Sequence, residues 1–204
     1  MKYMEERHAG MIRKFAIRLT KKATDMSIFS IDEFDIYVYA FEKSLSQLMT
    51  YSLLLLLGVI MNSLIYLIVY IIFLSVLRGQ TSGYHAKSPI GCALLSCLVS
   101  AISIYLSNIV SNYIFIMPGL FISIVYILYR APINHINLNL TRYEVERMQK
   151  SSRRMLLYEI TLIVFFYILP ASRTLCIPAS LSIITVALFM VLAKILNQEG
   201  KCYV

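Results

Sequence analysis

Within a chain of 204 residues, one short stretch gathers the side chains that covalent chemistry needs: Arg78-Gly79-Gln80-Thr81-Ser82-Gly83-Tyr84-His85-Ala86-Lys87-Ser88-Pro89-Ile90-Gly91-Cys92. It sets a histidine and a cysteine seven residues apart. A cysteine attacks as its thiolate, and a free thiol with a pKa of ~8.5 is mostly protonated at neutral pH, so a nucleophilic cysteine needs a base or a positive local potential. Cys92 has both close by in sequence. Ser88 suits an N-cap and Pro89 a first helical position, which predicts Cys92 in an opening turn near the positive end of a helix. His85, on a loop that Gly83 frees to approach closely, can fold back to take the thiol proton. Backbone N–H groups near Gly91 and Cys92 are then candidates to stabilise an oxyanion. Spacing alone leaves a second reading open, in which Cys92 is a small core residue and His85 a solvated loop residue.

The other candidates carry less. Cys97, Cys176 and Cys202 have no local base, and the four cysteines show neither zinc-finger nor disulfide-framework spacing. His135 stands near Asn134 and Asn137 without a second ligand at useful distance, so no metal is expected, and no cofactor motif occurs.

The elements that position this stretch are set by composition. The chain is 59% hydrophobic and 15% charged, with a mean hydropathy of +0.72, which excludes an ordinary water-soluble globule. Charged residues are missing from 34 consecutive positions, 44–77, and from 42 more, 88–129. A bilayer is the solvent for such runs. One crossing takes roughly 20 residues, so each run holds two, with turns expected at Asn62-Ser63 and near 108–112. A third apolar block, 155–193, is interrupted by Arg173 between Pro170 and Pro178. The expected architecture is all-α and polytopic, a single membrane domain over 1–204 with six transmembrane helices near 45–61, 64–77, 89–107, 112–129, 155–171 and 176–193.

Charge supports this count. With the N-terminus in the cytoplasm, eighteen of the 19 Lys and Arg fall on the inner side and only Arg173 on the outer. The same topology puts both termini and the loop holding His85 at the cytoplasmic face of the cell membrane. It also accounts for the net charge of +8 without nucleic acid, for which no soluble basic domain remains. Within residues 1–43, Met4, Met11, Ile12, Phe15, Leu19 and Ala23 recur at helical spacing among basic residues. That pattern predicts an amphipathic cytoplasmic helix, lying either on membrane lipids or on the protein's own inner face. Lys and Arg run through the first 25 residues without a continuous apolar core, so they do not read as a cleavable signal peptide. Ser30 and Glu33 have capping-box spacing ahead of a further helix. Glu159, early in the fifth span, is an ionisable group where such groups carry function by default; it either orients His85, reaches the headgroups or pairs with Arg154.

The stretch from Arg78 to Cys92, with Gly83 two residues before His85-Ala86 and Cys92 seven after the histidine, resembles the signature of the accessory gene regulator B (AgrB) family of membrane peptidases. Tyr129-Arg130-Ala131-Pro132, followed by Asn137 and a charged segment through Lys150, resembles that family's Ala-Pro motif and basic loop. After the Asn this chain has Leu138-Asn139 where many members have Lys-Pro. The resemblance implies a cysteine endopeptidase that removes the C-terminal tail of a short AgrD-like propeptide, which becomes a cyclic quorum-sensing peptide. It implies Cys92 as nucleophile and His85 as general base, with Gly83 and Gly91 in support. Arg78 matches a family position; it is either a snorkelling anchor or a partner for an acidic propeptide tail, while Arg142, Arg147, Lys150, Arg153 and Arg154 either pair with the same tail or form the basic inner loop that topology alone calls for. The resemblance, together with the scarcity of Gly-mediated packing in the spans, implies a homodimer, with each His85–Cys92 pair inside one chain because the seven-residue spacing allows it. The competing classes are a small six-span transporter or exporter, and a scaffold that holds partners together. The near absence of mid-membrane charge speaks against transport.

Overall fold

The structure, a computed structural model, describes residues 11–26, 33–84, 89–110, 112–133 and 141–196. Among these the elements are helical: α1 Met11–Asp25, α2 Phe34–Ile60, α3 Leu64–Thr81, α4 Pro89–Ile109, α5 Met117–Arg130, α6 Arg142–Ile168 and α7 Cys176–Ile195. Short 3-10 turns, Tyr113–Phe115 and Pro170–Leu175, precede α5 and α7. The chain forms two compact units, Met1–Leu53 and Leu54–Val204, with the division inside α2.

In the first unit, the buried positions of α1 are Ala16 and Thr20, one turn apart, and the Thr20 hydroxyl donates back to the Ala16 carbonyl at 3.0 Å. Phe15 is exposed, so the buried stripe is rotated by one position from the one the apolar spacing predicts. The expected Ser30 cap and Met4 lie outside the described residues.

The second unit is built around α7. Of its apolar stretch 72% is buried, against 28% for those of α3 and α4. Its core face, including Ala179, Ile183, Val186 and Met190, packs with Leu77 of α3, Ile127 of α5 and Leu156 of α6. Polar pairs stitch the same surfaces: the Tyr70 hydroxyl donates to Thr185 Oγ1 at 3.1 Å, and Tyr113 and Ser180 hydroxyls share a hydrogen bond of 2.7 Å. α4 is the reverse of a soluble amphipathic helix. Ser100, Ser103 and Ser107 are buried, while Ile90, Leu94, Leu98 and Ile102 are exposed. Such an inside-out helix suits lipid, where apolar contact outside costs nothing and small residues let helices approach.

Among the described residues, four helical stretches are long and apolar enough to cross a membrane: Phe34–Ile60, Leu64–Thr81, Ile90–Ile109 and Pro170–Ile195. The described residues thus form an all-helical fold with several membrane-spanning candidates, and the expected count of six is not reached on this criterion. The fourth expected span, 112–129, yields a helix proper of only 14 residues, because Pro118 lies in the first turn of α5, where its missing N–H breaks no intrahelical bond. At ~1.5 Å per residue such a helix is about 21 Å long, short of the ~30 Å hydrocarbon core. The fifth coincides with the apolar second half of α6. Its first half is charged and opens on a capping box, with the Glu144 backbone N–H donating to the Thr141 hydroxyl and Glu144 Oε2 accepting from the Thr141 backbone and side chain. Those bonds to the ionised form hold the Glu144 carboxyl below its usual range.

The turn between α2 and α3 falls at Asn62-Ser63 as the sequence predicts. Asn62 takes φ 51°, and the N–H groups of Asn62 and Ser63 reach back to the carbonyls of Val59 and Gly58, which is the Schellman pattern. Gly58 is needed for the close approach that follows: a Cβ there would lie 2.7 Å from Leu67 Cδ2 and 3.3 Å from the Leu64 backbone. Leu67 is fully buried and has little room to move. Gly58→Val should therefore lower stability by about 1–3 kcal/mol, the usual cost of overpacking. A drop in the thermal unfolding midpoint of the detergent-purified protein checks this; an unchanged midpoint contradicts the packing.

Candidate active site

The candidate stretch begins on the last turn of α3. Thr81 is fully buried, its hydroxyl donating to the Leu77 carbonyl at 3.1 Å, and its own carbonyl accepts from the Ile133 backbone N–H at 3.1 Å. Ser82 then leaves the helix with φ 58° and ψ −154°, a conformation unfavourable for a residue with a Cβ, while its N–H closes on the Arg78 carbonyl at 3.1 Å. Gly83 follows at φ 142°, accessible to glycine and rarely to other residues. Its α-carbon lies so close to α7 that a Cβ would meet the Phe189 backbone at 3.5 Å. Steric room therefore matters less at Gly83 than backbone angle.

Tyr84 completes the turn by donating its backbone N–H to the Phe189 carbonyl at 3.0 Å. Arg78 holds the same segment from the other side. One guanidinium nitrogen donates to the Tyr84 carbonyl at 2.6 Å, and the guanidinium carbon stands 4.6 Å from the centre of the Phe189 ring. The two sequence readings of Arg78, a snorkelling anchor or a partner for the propeptide, gave it no role inside the protein; the structure shows an intramolecular clasp. A planar, forked cation can stack and donate at once, which an ammonium cannot do as well.

His85 and the residues to Ser88 lie outside the described residues. The chain resumes at Pro89 as the first residue of α4, as expected, so Gly91 and Cys92 fall in its opening turn. Cys92 is a free thiol, half-buried. The first turn of any α-helix directs N–H groups without intrahelical partners toward its N-terminal end, and adds a partial positive charge there. Cys97 sits deeper on α4, packed with the Leu54, Leu67 and Tyr70 cluster. Cys176 is buried, its Sγ donating to the Ile163 carbonyl at 3.4 Å.

Glu159 is not paired with Arg154. It is 4% exposed, on the buried face of α6 between Leu156 and Ile163, and neither carboxylate oxygen has a hydrogen-bond partner among the described residues. A buried carboxylate without a partner is costly when ionised, so Glu159 requires a donor or its own proton. Arg153 reaches the Leu128 carbonyl at 3.4 Å, bringing α6 beside the end of α5. His135, Asn137, Leu138-Asn139 and Cys202 lie outside the described residues. Among the described residues, no three His, Cys, Asp or Glu side chains come together to hold a metal ion.

The structure thus joins Arg78 and Gly83 on one platform, Phe189, and brings the segment after Ala131-Pro132 onto Thr81. Sequence reasoning missed Phe189, Thr81 and Ile133. Phe189 lies in a uniformly apolar run and carries no signal of its own. Ile133 was legible only as a neighbour of the Ala-Pro pair.

A family model described as AgrB, accessory gene regulator B, matches residues 12–198. No curated protein and no solved structure matches the chain.

Proposed function

This chain belongs to the accessory gene regulator B family, whose role is in autoinducer-peptide processing, and from that premise we propose that it is a membrane cysteine endopeptidase acting on a short AgrD-like propeptide. The observation that carries the proposal is the family match over nearly the whole chain. The geometry adds support: Cys92 stands in the first turn of α4, and the segment that leads to His85 is fixed at three backbone positions, Thr81, Ser82 and Tyr84.

In this reading His85 takes the Cys92 proton, and the thiolate attacks the carbonyl carbon of the scissile bond. Donors at the start of α4 stabilise the oxyanion. The C–N bond then breaks, the imidazolium gives its proton to the departing amine of the C-terminal tail, and the remaining propeptide is held as a thioester on Cys92. A cysteine or serine inside the propeptide next passes its proton to His85 and attacks the same carbonyl. The bond to Cys92 Sγ breaks, closing a thiolactone or lactone and restoring the thiol. With an incoming thiol, one thioester replaces another of similar energy, so the exchange needs no ATP. Water would waste the intermediate, and a site at the edge of a bilayer limits its access.

Glu159 supports the pair in this reading. Its neighbours Leu156 and Ile163 belong to the same core cluster against which Tyr84, the residue before His85, packs. The distribution of Lys and Arg favours a site and both termini on the cytoplasmic side of the cell membrane. The protein is read as a homodimer with each His85–Cys92 pair within one chain. A membrane-permeant alkylating agent tests the enzyme reading in a variant whose only cysteine is Cys92: loss of propeptide cleavage in step with modification supports it, and full cleavage by the modified protein rejects it.

A further inference from the structure

The second unit holds a pocket of about 560 Å³ at the far end of α3 and α4 from the catalytic stretch. Tyr66 on its wall is twelve residues from Arg78 along α3, and Ser107 fifteen from Cys92 along α4, so the two places are separated by roughly 18–22 Å of helix. Five further elements or links contribute, through Val110 and Asn112, Tyr113, Tyr167, Arg173 with Thr174, and Ile177.

We propose that this pocket binds an anionic phosphoglycerol group, supplied by the headgroup of a membrane lipid or by the equivalent soluble phosphate ester. Among the described residues, Arg173 is the only charged one of the lining, and no carboxylate there offsets it. Its guanidinium stacks 4.5 Å from the centre of the Tyr167 ring, which in turn packs against Tyr113 with ring centres 5.7 Å apart. Stacking fixes the plane of the fork and leaves its N–H edge for an acceptor, the geometry by which arginine takes phosphate oxygens. Around it stand hydroxyls of Tyr66, Tyr167 and Thr174 that make no hydrogen bond among the described residues. Asn112 spends its oxygen on the Ile114 N–H at 3.1 Å and keeps its amide donors.

The ligand class follows from size and surroundings. A phosphate supplies the acceptors that the Arg173 fork needs, and a polyhydroxyl group carried on it finds the hydroxyls of the wall, within a volume that admits both. The pocket also lies where α3 and α7 begin and α4 ends. All three are apolar helices long enough to cross a membrane, α7 together with its preceding turn, and headgroups lie at the ends of such helices, where tyrosines concentrate. The site is independent of the peptidase chemistry.

Native mass spectrometry of the full-length protein released from nanodiscs of equal phosphatidylglycerol and phosphatidylcholine tests this, with Arg173→Gln and Arg173→Lys beside wild type. We expect at least tenfold preferential retention of phosphatidylglycerol, lost in Arg173→Gln and weakened in Arg173→Lys. Addition of free glycerol phosphate distinguishes the sources: retention unchanged by it assigns the pocket to lipid, and displacement with the same Arg173 dependence assigns it to the soluble ester. Equal retention of the two lipids, or a preference that survives Arg173→Gln, overturns the proposal. Should Arg173→Gln fail to fold, the paired Asn112→Leu and Thr174→Val variant gives the same reading.

Discussion

Cys92→Ala should abolish propeptide cleavage, by more than a thousandfold, while the protein stays folded in the membrane. In the proposed mechanism this side chain forms and breaks the covalent bond, so no neighbouring group replaces it. His85→Ala should cost 10²–10⁴-fold, the usual worth of a general base. Cys97→Ala is the control on the same helix. Its thiol packs in the cluster with Leu67 and Tyr70, and its loss should change activity by less than twofold. Cleavage of purified propeptide by each variant in liposomes, followed by mass spectrometry, reads all three. Cys92→Ala cutting the same bond at the wild-type rate would contradict the assignment, as would a Cys97→Ala variant as inactive as Cys92→Ala.

Arg78→Met should reduce kcat by about 10–10²-fold with little change in KM, because a displacement of around 1 Å in a catalytic group costs on that order. Arg78 donates to the Tyr84 carbonyl and covers the Phe189 ring, and Tyr84 is bonded through its N–H to the Phe189 carbonyl. Removing the guanidinium frees one side of the turn that carries His85. Arg78→Lys restores the charge without the fork, and should recover only part of the loss. Were Arg78 instead a contact for an acidic propeptide tail, Arg78→Met would raise KM, and Arg78→Lys would largely repair it. Steady-state kinetics over a range of propeptide concentration separates the two.

What the sequence disclosed depended on whether a feature was written in one segment or assembled from several. The turn at Asn62-Ser63 was legible because only a few residue types tolerate φ near 51° in a C-terminal cap. The end of α4 at Ile109 lay in the polar cluster 107–112 for a similar reason. Helix limits were less legible, since charge-free runs mark contact with lipid and not helicity. α6 therefore starts at Arg142 and not near 155, with charged turns ahead of its apolar ones, whereas α2 starts at Phe34, where the Ser30 and Glu33 spacing puts the start of a further helix. In the site, Arg78, Gly83 and Cys92 stood out by type and spacing. Their platform did not: nothing marks Phe189 among the apolar residues of α7 as the one whose carbonyl and ring receive the loop. The burial of Glu159 was hidden too, for its position early in a span suits a headgroup contact equally well.

The central claim is that peptide processing passes through a thioester on Cys92. The direct measurement is to mix the purified full-length protein with propeptide, stop the reaction in acid within one turnover, and determine the intact mass and the modified residue. The account predicts an adduct equal in mass to the propeptide without its C-terminal tail, located on Cys92, released by neutral hydroxylamine and absent from Cys92→Ala. Tail release in a single turnover with no hydroxylamine-sensitive adduct, or with the adduct on Cys97, Cys176 or Cys202, would contradict it.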